Sequence, residues 1–414
     1  MLILRSTVAI VAAALFTSFG SIAVARPFER ATDPAPQYRI DTTKLPGLDA
    51  ELVALPQWSG NLPVGGSDTL FFWYTQAKDP MSNNLIFWHN GGPGCSSLEG
   101  LFEENGPYRS NDGGRTWTMN PDSWHNNGHV VFIDQPFGTG FSKSSTTVPD
   151  EDFIGDTMVQ FYLNFFNAFP EMKTKNIYIT GESYAGRYIP YMAKHVLDYN
   201  AKNPAITINL KSIAIGNAYI DTSVNNDVVT YLPYLQKHPW LYGNSQSWFT
   251  SAQSIVAQMK TTSGCTTAQS DPTISNACKK LYSKFTSTQP SPVNYPLPIN
   301  CTYGNSPLYY DPYNIAETSC EQTKIDLSMA QASWEYFLNL PAVQAQIHIS
   351  GSQTYASCVS VNSGIYRSDP SIVPKYFLGS LIDRGLNVTL YAGLLDAVVP
   401  YSLIEAAMDS LLRP

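Results

Sequence analysis

The sequence predicts an α/β fold in which a mixed, mostly parallel sheet is covered by helices on both faces. Two observations predict it. Short apolar runs without polar alternation recur along the chain, as is typical of strands buried on both faces. Segments of helical periodicity alternate with these runs. With 414 residues, 43% of them hydrophobic and 14% charged, the chain can bury a large core.

The first predicted strands cover residues 70–74 and 84–88, and the turn-like pair Asp79-Pro80 between them favours an antiparallel pair of neighbours. Helical periodicity predicts helices over residues 156–169 and 185–199. The remaining apolar runs predict strands over 129–133, 176–179, 212–215 and 388–391.

The alternation of strands and helices breaks between about residues 220 and 340. This interval contains four of the six cysteines and many Ser, Thr, Asn and Pro residues, a composition typical of loops. We therefore expect a loop- and helix-rich cap inserted into one domain that covers residues 46–414, with an N-terminal segment over residues 26–45.

The first 25 residues have the three parts of an export signal. Arg5 precedes an apolar run over residues 8–16, and Ala23-Val24-Ala25 follows, with cleavage expected after Ala25. The apolar run is shorter than the roughly 20 residues of a spanning helix, and no later stretch is long enough, so no membrane anchor is expected. Secretion and delivery to the vacuole both remain open.

The net charge and the cysteine content allow predictions about partners, cofactors and disulfides. A net charge of −8 leaves no excess of Lys and Arg to neutralise phosphates, so nucleic acid is not an expected partner. Without a CxxC pair or a His-rich cluster, neither a metal nor another cofactor is expected, and six cysteines in an exported chain predict three disulfides. The triplets at Asn300 and Asn387 permit N-glycosylation. The oligomeric state is left open.

A candidate nucleophile lies in the segment Gly181-Glu182-Ser183-Tyr184-Ala185-Gly186, directly after a predicted strand and directly before a predicted helix. Small residues permit a sharp turn there, and the turn lifts the serine hydroxyl above the sheet at the positive end of the helix, as in the nucleophile elbow of α/β-hydrolases. A serine at this place is also a common helix cap, so the motif needs independent support.

That support comes from the segment Trp88-His89-Asn90-Gly91-Gly92-Pro93-Gly94-Cys95-Ser96-Ser97, in which three glycines follow a strand. Its backbone N–H groups can hold the oxyanion of an acyl-transfer reaction, and we expect Gly92 and Tyr184 to be the donors. A phosphate-binding loop is disfavoured by Pro93 and by the lack of a Lys after the glycines.

These two segments, with Ile-Asp-Gln-Pro-Phe-Gly-Thr-Gly at residues 133–140 and Tyr-Ala-Gly-Leu-Leu-Asp at residues 391–396, resemble the serine carboxypeptidase family in sequence and in order. The resemblance runs from about Leu55 to the end. It implies an α/β-hydrolase fold, Ser183 as the nucleophile, Asp396 as the acid that orients a histidine, and an oxyanion hole formed by Gly92 and Tyr184.

The resemblance also implies how the free carboxylate of a peptide or protein C-terminus is bound: by Asn90, Gly91, Glu104 and Glu182. Two carboxyl groups held close together cannot both ionise at low cost, so one should keep its proton and donate it to the substrate carboxylate. We therefore expect tight substrate binding at acidic pH that is lost as the shared proton leaves.

The resemblance implies a disulfide between Cys95 and Cys358. For the remaining four cysteines, Cys265 with Cys278 and Cys301 with Cys320 are the simplest pairs, although three connectivities are possible.

The histidine of the triad should follow Asp396, but residues 397–414 contain none. The histidines lie earlier, and their positions before strands or on helices make them poor substitutes: His89, His125, His129, His195, His238 and His348. Two explanations are open. The sequence lacks its C-terminal part, which we favour and which would also remove a final strand, or a natural chain kept the cleft and lost catalysis.

The function predicted from the sequence is a serine carboxypeptidase that hydrolyses the C-terminal peptide bond through an acyl-enzyme at acidic pH. Two alternatives remain: a peptide-binding protein without catalysis, and a relative that acts as an acyltransferase or a lyase. The carboxylate-binding residues favour the carboxypeptidase, because enzymes acting on esters or cyanohydrins do not need them.

Overall fold

The structure, a computed structural model, describes residues 35–411 except 145, 222–227, 243–244, 263–264, 266–274, 289–300, 304–305, 309–313, 316–329, 352 and 361–373. The predicted export signal, Asn300 and Cys320 therefore lie outside the described residues. No helix in the described ranges combines the length and the apolar character that crossing a bilayer requires.

The strands of the described chain are β1 (Gln57–Gly65), β2 (Asp68–Thr75), β3 (Asn84–His89), β4 (Tyr108–Arg109), β5 (Thr118–Met119), β6 (His129–Ile133), β7 (Asn176–Glu182), β8 (Leu210–Gly216), β9 (Cys301–Tyr303), β10 (Ser306–Leu308) and β11 (Asn387–Tyr391). The α-helices are α1 (Ala50–Ala54), α2 (Leu98–Glu103), α3 (Glu151–Ala168), α4 (Ala185–Asn200), α5 (Val228–Lys237), α6 (Gln246–Thr261), α7 (Asn276–Thr288), α8 (Ala330–Asn339), α9 (Pro341–Gln346), α10 (Lys375–Asp383) and α11 (Tyr401–Leu411).

The central sheet has seven strands in the order β1-β2-β6-β3-β7-β8-β11. The pairs β1–β2 and β2–β6 are antiparallel, whereas β6, β3, β7, β8 and β11 run parallel. The predicted mixed, mostly parallel sheet is confirmed. Parallel strands end at one edge of a sheet, so the segments after β3, β7, β8 and β11 meet there.

One predicted pairing is wrong. The runs at 70–74 and 84–88 form β2 and β3, but β6 lies between them, and β2 pairs with β1 instead. The strand β1 has the sequence QWSGNLPVG, whose polar residues, Gly and Pro hide it from a search for apolar runs. β2 and β3 are neighbours among the predicted strands but not in the sheet, because the fully buried β6 lies between them.

Helices cover both faces of the sheet because the strand side chains alternate. In β2, Phe72 and Tyr74 face the cluster that contains residues of α3 and α4. Phe71 and Trp73 face the opposite cluster, which contains residues of α2 and α8. The helix α3 begins one turn earlier than predicted, since the Asp150 side chain accepts a hydrogen bond from Phe153 N and caps it.

The interval expected to form a cap contains α5, α6, α7 and α8 and the short strands β9 and β10. The apolar side chains of α5, α6 and α7 form a third cluster, which includes Tyr234, Trp248 and Ile255 and also Tyr401 of α11. The Tyr231 hydroxyl of α5 donates to the carbonyl of Ala397 at 3.3 Å. These helices therefore pack on the segment that contains Asp396.

Candidate active site

Ser183 lies in the turn between β7, which ends at Glu182, and α4, which begins at Ala185. Its φ of 56° is left-handed, a conformation that non-glycine residues rarely adopt. Three backbone hydrogen bonds hold it there: Ser183 N donates to Gly216 O at 3.0 Å, and Ser183 O accepts from Gly186 N and Tyr219 N at 2.9 Å each. The backbone geometry is that of a nucleophile elbow.

The glycines of this segment are required by close backbone contacts. A Cβ on Gly181 would lie 2.2 Å from His89 O, and one on Gly186 would lie 2.6 Å from Tyr219 N. Neither distance is compatible with a side chain, so both positions admit only glycine without a shift of the backbone.

The glycine-rich loop after β3 packs directly on this turn. A Cβ on Gly91 would lie 2.5 Å from Tyr184 N and 2.8 Å from Ser183 Cβ. Gly92 follows with a left-handed φ of 108° and is exposed. The structure therefore brings together Ser183 and the loop expected to supply the oxyanion hole, while the donor roles of Gly92 and Tyr184 remain predictions.

Asp134 holds the glycine-rich loop by hydrogen bonds. It is fully buried and accepts hydrogen bonds from Ser96 Oγ at 2.5 Å, Ser97 N at 3.1 Å and Phe141 N at 3.0 Å. Burial raises the pKa of Asp134 to about 7, against the opposing effect of these donors. Asp134, which directly follows β6, therefore connects the end of that strand to the glycine-rich loop.

Asn90 joins the two glutamates predicted to bind the substrate carboxylate. Its Nδ2 donates to Glu104 Oε1 at 2.7 Å and to Glu182 Oε1 at 3.3 Å. Its Oδ1 accepts from Trp88 Nε1 at 2.7 Å and from Gly100 N at 3.2 Å. Because two donors occupy the oxygen, the amide nitrogen must face the carboxyl groups.

The pKa values of both glutamates are raised. Burial is the largest cause for Glu104, followed by the charge of Glu182, and its pKa lies well above the usual range. Burial raises the pKa of Glu182 to about 8, with further contributions from the charges of Glu99 and Asp396. The pair therefore retains a proton at neutral pH, as two adjacent carboxyl groups require.

Asp396 lies in the segment after β11 and is buried. Its Oδ1 accepts from Val398 N at 2.6 Å and from Val399 N at 3.2 Å, and its Oδ2 accepts from Asn217 Nδ2 at 2.6 Å. Ser183 N donates to Gly216 O and Asn217 directly follows Gly216, so the contact with Asn217 holds Asp396 at the same edge of the sheet as Ser183.

Among the histidines, His129 and His195 contact other side chains, and His89 is fully buried. His129 Nδ1 contacts the Tyr74 hydroxyl at 2.8 Å, and His195 lies between Asp152 and Asp156 on α3 at 2.8 and 2.7 Å. His89 is fully buried, and burial lowers its pKa to about 3. A proton acceptor with so low a pKa would be a poor general base.

Sequence reasoning missed several residues that shape the site. Asn217 holds Asp396, and Glu151 of α3 accepts from the Tyr184 hydroxyl at 3.3 Å and pairs with Arg187 at 3.0 Å. Asn217 had a usable signal, because it is a polar residue directly after a parallel strand. Glu151 had none, since an acidic residue in the first turn of a helix is ordinary.

The structure contains the disulfides Cys95–Cys358 and Cys265–Cys278. Cys320 lies outside the described residues, so the expected Cys301–Cys320 pair stays a prediction. Cys95 directly follows the three glycines, and two backbone hydrogen bonds flank its disulfide: Ser96 N to Ser357 O at 2.7 Å and Val359 N to Gly94 O at 2.9 Å. The glycine-rich loop is therefore fixed to the chain that follows the cap.

Comparison with known proteins adds independent information. The chain is 36% identical over 276 residues to the pheromone-processing carboxypeptidase KEX1 of Debaryomyces hansenii, which covers 63% of this chain and 39% of that protein. It is 30% identical over 398 residues to the serine carboxypeptidase-like protein 28 of Arabidopsis thaliana, covering 89% of this chain and 77% of the relative. The chain thus spans about two fifths of the KEX1 relative's length.

The fold is also found in a solved structure. The crystal structure of Kex1(delta)p, a prohormone-processing carboxypeptidase from Saccharomyces cerevisiae, matches with a TM-score of 0.73 at 24% identity, covering 91% of this chain and 82% of that one. The predicted α/β-hydrolase fold is confirmed. A model of the family described as serine carboxypeptidase matches residues 46–413. The chain belongs to the serine carboxypeptidase family.

Proposed function

We propose that the protein is a serine-type carboxypeptidase that hydrolyses the C-terminal peptide bond of peptides or proteins. One observation supports this most strongly: Asn90 binds both Glu104 and Glu182, the pKa values of both glutamates are raised, and Glu182 directly precedes Ser183. Such a pair can donate a proton to the free carboxylate of a peptide, and in the proposed complex the last peptide bond lies near the serine hydroxyl.

In the proposed reaction, the substrate carboxylate accepts hydrogen bonds from Asn90 Nδ2, the Gly91 backbone and the protonated member of the Glu104–Glu182 pair. The Ser183 hydroxyl then attacks the adjacent carbonyl carbon while its proton passes to an imidazole oriented by Asp396. The N–H groups of Gly92 and Tyr184 stabilise the oxyanion. The leaving amine takes the proton, and water then hydrolyses the acyl-enzyme.

We further propose a protein of the secretory pathway, either secreted or vacuolar. The export signal predicted over the first 25 residues supports this. So do the disulfides Cys95–Cys358 and Cys265–Cys278, because such bonds persist in oxidising compartments.

The test is release of the C-terminal amino acid from a blocked dipeptide at acidic pH. It uses the 414-residue chain and, where the coding sequence continues past Pro414, the longer chain, because the residues after Asp396 in the sequence include no histidine. Release that falls on the order of a millionfold in Ser183→Ala would support the proposal. Binding without release from either chain would favour the peptide-binding alternative, and release that survives Ser183→Ala would refute the assignment.

A further inference from the structure

Asn217 connects two segments at the carboxyl edge of the sheet. It directly follows β8, and its backbone N donates to Tyr391 O, the last residue of β11, at 2.9 Å. Its side-chain Oδ1 accepts from Gly393 N at 3.0 Å. Its Nδ2 donates to Asp396 Oδ2 at 2.6 Å and to Val399 O at 3.1 Å. One residue therefore holds the segment 391–399 along its length.

The residue type fits both the backbone and the contacts. The φ of Asn217 is 40°, a left-handed conformation in which Asn is the most favoured residue after Gly. The contacts require one acceptor and two donors on a short side chain, which is the inventory of a carboxamide. Asp lacks the donors, and Gly lacks the side chain.

We propose that Asn217 is a positioning residue that fixes the Asp396 carboxylate, and through it the imidazole that the proposed hydrolysis needs. This inference rests on the proposed function for its catalytic part. Val398 N and Val399 N hold Oδ1, but both belong to the same turn as Asp396 and move with it. Asn217 holds Oδ2 from a different strand, so it fixes the carboxylate relative to the rest of the sheet.

The contact is tested by Asn217→Asp, Asn217→Ala and the exchange Asn217→Asp with Asp396→Asn, each melted at pH 4.5 and pH 8. In Asn217→Asp, two carboxyl groups occupy the place of a 2.6 Å contact. Their repulsion raises the folded-state pKa of the pair, so stability is present in acid and lost as the pH rises. Tyr391 stays neutral at both pH values, because burial raises its pKa further above the usual range. Glu182, with a pKa of about 8, titrates near this site, and Asn217→Ala, which keeps the Asp396 charge, shows how much of the pH dependence comes from Glu182.

We expect the melting temperature of Asn217→Asp to fall at least about 4 °C further below the wild type at pH 8 than at pH 4.5. The melting temperature of Asn217→Ala should lie below that of the wild type by the same amount at pH 4.5 and at pH 8. The exchange variant restores one amide and one carboxylate and should regain most of the loss at pH 8. A pH-independent deficit in Asn217→Asp, or no recovery in the exchange variant, would overturn the inference.

The catalytic part is read from peptide release by the same substitutions in the chain whose wild type releases an amino acid, either the 414-residue chain or, where the coding sequence continues past Pro414, the longer one. Asn217→Ala should lower kcat at least tenfold and leave KM within about twofold, because Asn90 and the glutamate pair are unchanged. A lower kcat at an unchanged KM, together with the pH-dependent fall in the melting temperature of Asn217→Asp, supports the positioning role, whereas an unchanged kcat overturns it. Should the wild type release no amino acid from either chain, the proposed function fails, and the melting temperatures of the variants still decide whether Asn217 positions Asp396.

Discussion

At the scale of single residues, three buried carboxyl groups of this protein have pKa values above their ordinary range. Glu104, Glu182 and Asp134 all have raised pKa values, and burial is the main cause for each. Each group therefore binds a proton more tightly in the folded chain than in the unfolded chain. Folding and ligand binding should both be favoured by acid.

Peptide binding should depend on the proton shared by Glu104 and Glu182. In a Ser183→Ala background, which prevents turnover, the affinity for a blocked dipeptide is expected to be constant below pH 7. It should fall toward alkaline pH, by up to about tenfold per pH unit once the pair has lost its shared proton, and the Glu182 pKa of about 8 marks where this loss begins. Calorimetric titration from pH 5 to pH 9 measures this.

The double variant Glu104→Gln/Glu182→Gln should lose that pH dependence, because an amide donates at every pH. Glu51→Gln, a change at an exposed position of α1, is the matched control and should keep the wild-type profile. A wild-type affinity that stays flat across the range would contradict the role of the pair.

Asp134 should make the protein more stable in acid. Its folded-state pKa of about 7 lies above the unfolded value near 4, so its contribution is complete below pH 4 and is lost as the pH rises to 7. The loss amounts to at most about 1.4 kcal/mol per pH unit. Urea denaturation of Asp134→Asn should show a shallower decline in the free energy of unfolding between pH 4 and pH 7. An unchanged slope would count against a protonated Asp134.

At the scale of elements, the sequence predicted what local chemistry controls. The strands β3 and β6 could be predicted because their apolar runs are nearly uninterrupted, and the helix α4 because its apolar residues recur at helical spacing. The strand β1 was missed and the neighbour of β3 was misassigned, since Gly60, Pro63 and polar residues interrupt the β1 pattern. Which strand lies beside which depends on packing across the whole sheet, and a local pattern carries no information on that.

The helices α3 and α4 are joined by a buried ion pair behind the nucleophile turn. Glu151 and Arg187 have side chains that are 7% and 3% exposed. Glu151→Ala should lower the free energy of unfolding by about 3–5 kcal/mol, because it leaves the Arg187 charge buried without its counter-ion. The change is measured by urea denaturation at constant pH.

The variant Glu151→Leu/Arg187→Met should recover most of that loss, since it removes both buried charges at once. Asp41→Ala breaks the exposed Lys44–Asp41 pair and is the control, with an unchanged urea midpoint expected. A loss in Glu151→Ala no larger than in Asp41→Ala would show that the buried pair contributes nothing.

At the scale of the whole molecule, the motifs predicted the candidate residues of the site but not the residues that hold them in place. The elbow and the glycine-rich loop name Ser183 and Asn90, and the sheet order brings them to one edge. Asn217 and Glu151 act through other side chains, and their positions are set by how β8 and α3 pack. Motifs record the residues that chemistry requires, whereas supporting contacts depend on packing that spacing does not encode.

The two described disulfides should differ in effect because they close loops of different length. Cys95–Cys358 spans 263 residues, and Cys265–Cys278 spans 13. On the chain-entropy account, removing the first should lower the free energy of unfolding by up to about 5 kcal/mol and removing the second by up to about 3 kcal/mol. The Cys95–Cys358 disulfide also fixes the glycine-rich loop, so Cys95→Ala/Cys358→Ala should weaken peptide binding at least tenfold, whereas Cys265→Ala/Cys278→Ala should not. Urea denaturation and calorimetry of the two variants measure both effects, and a reversed order in either measurement would refute this account of the loop.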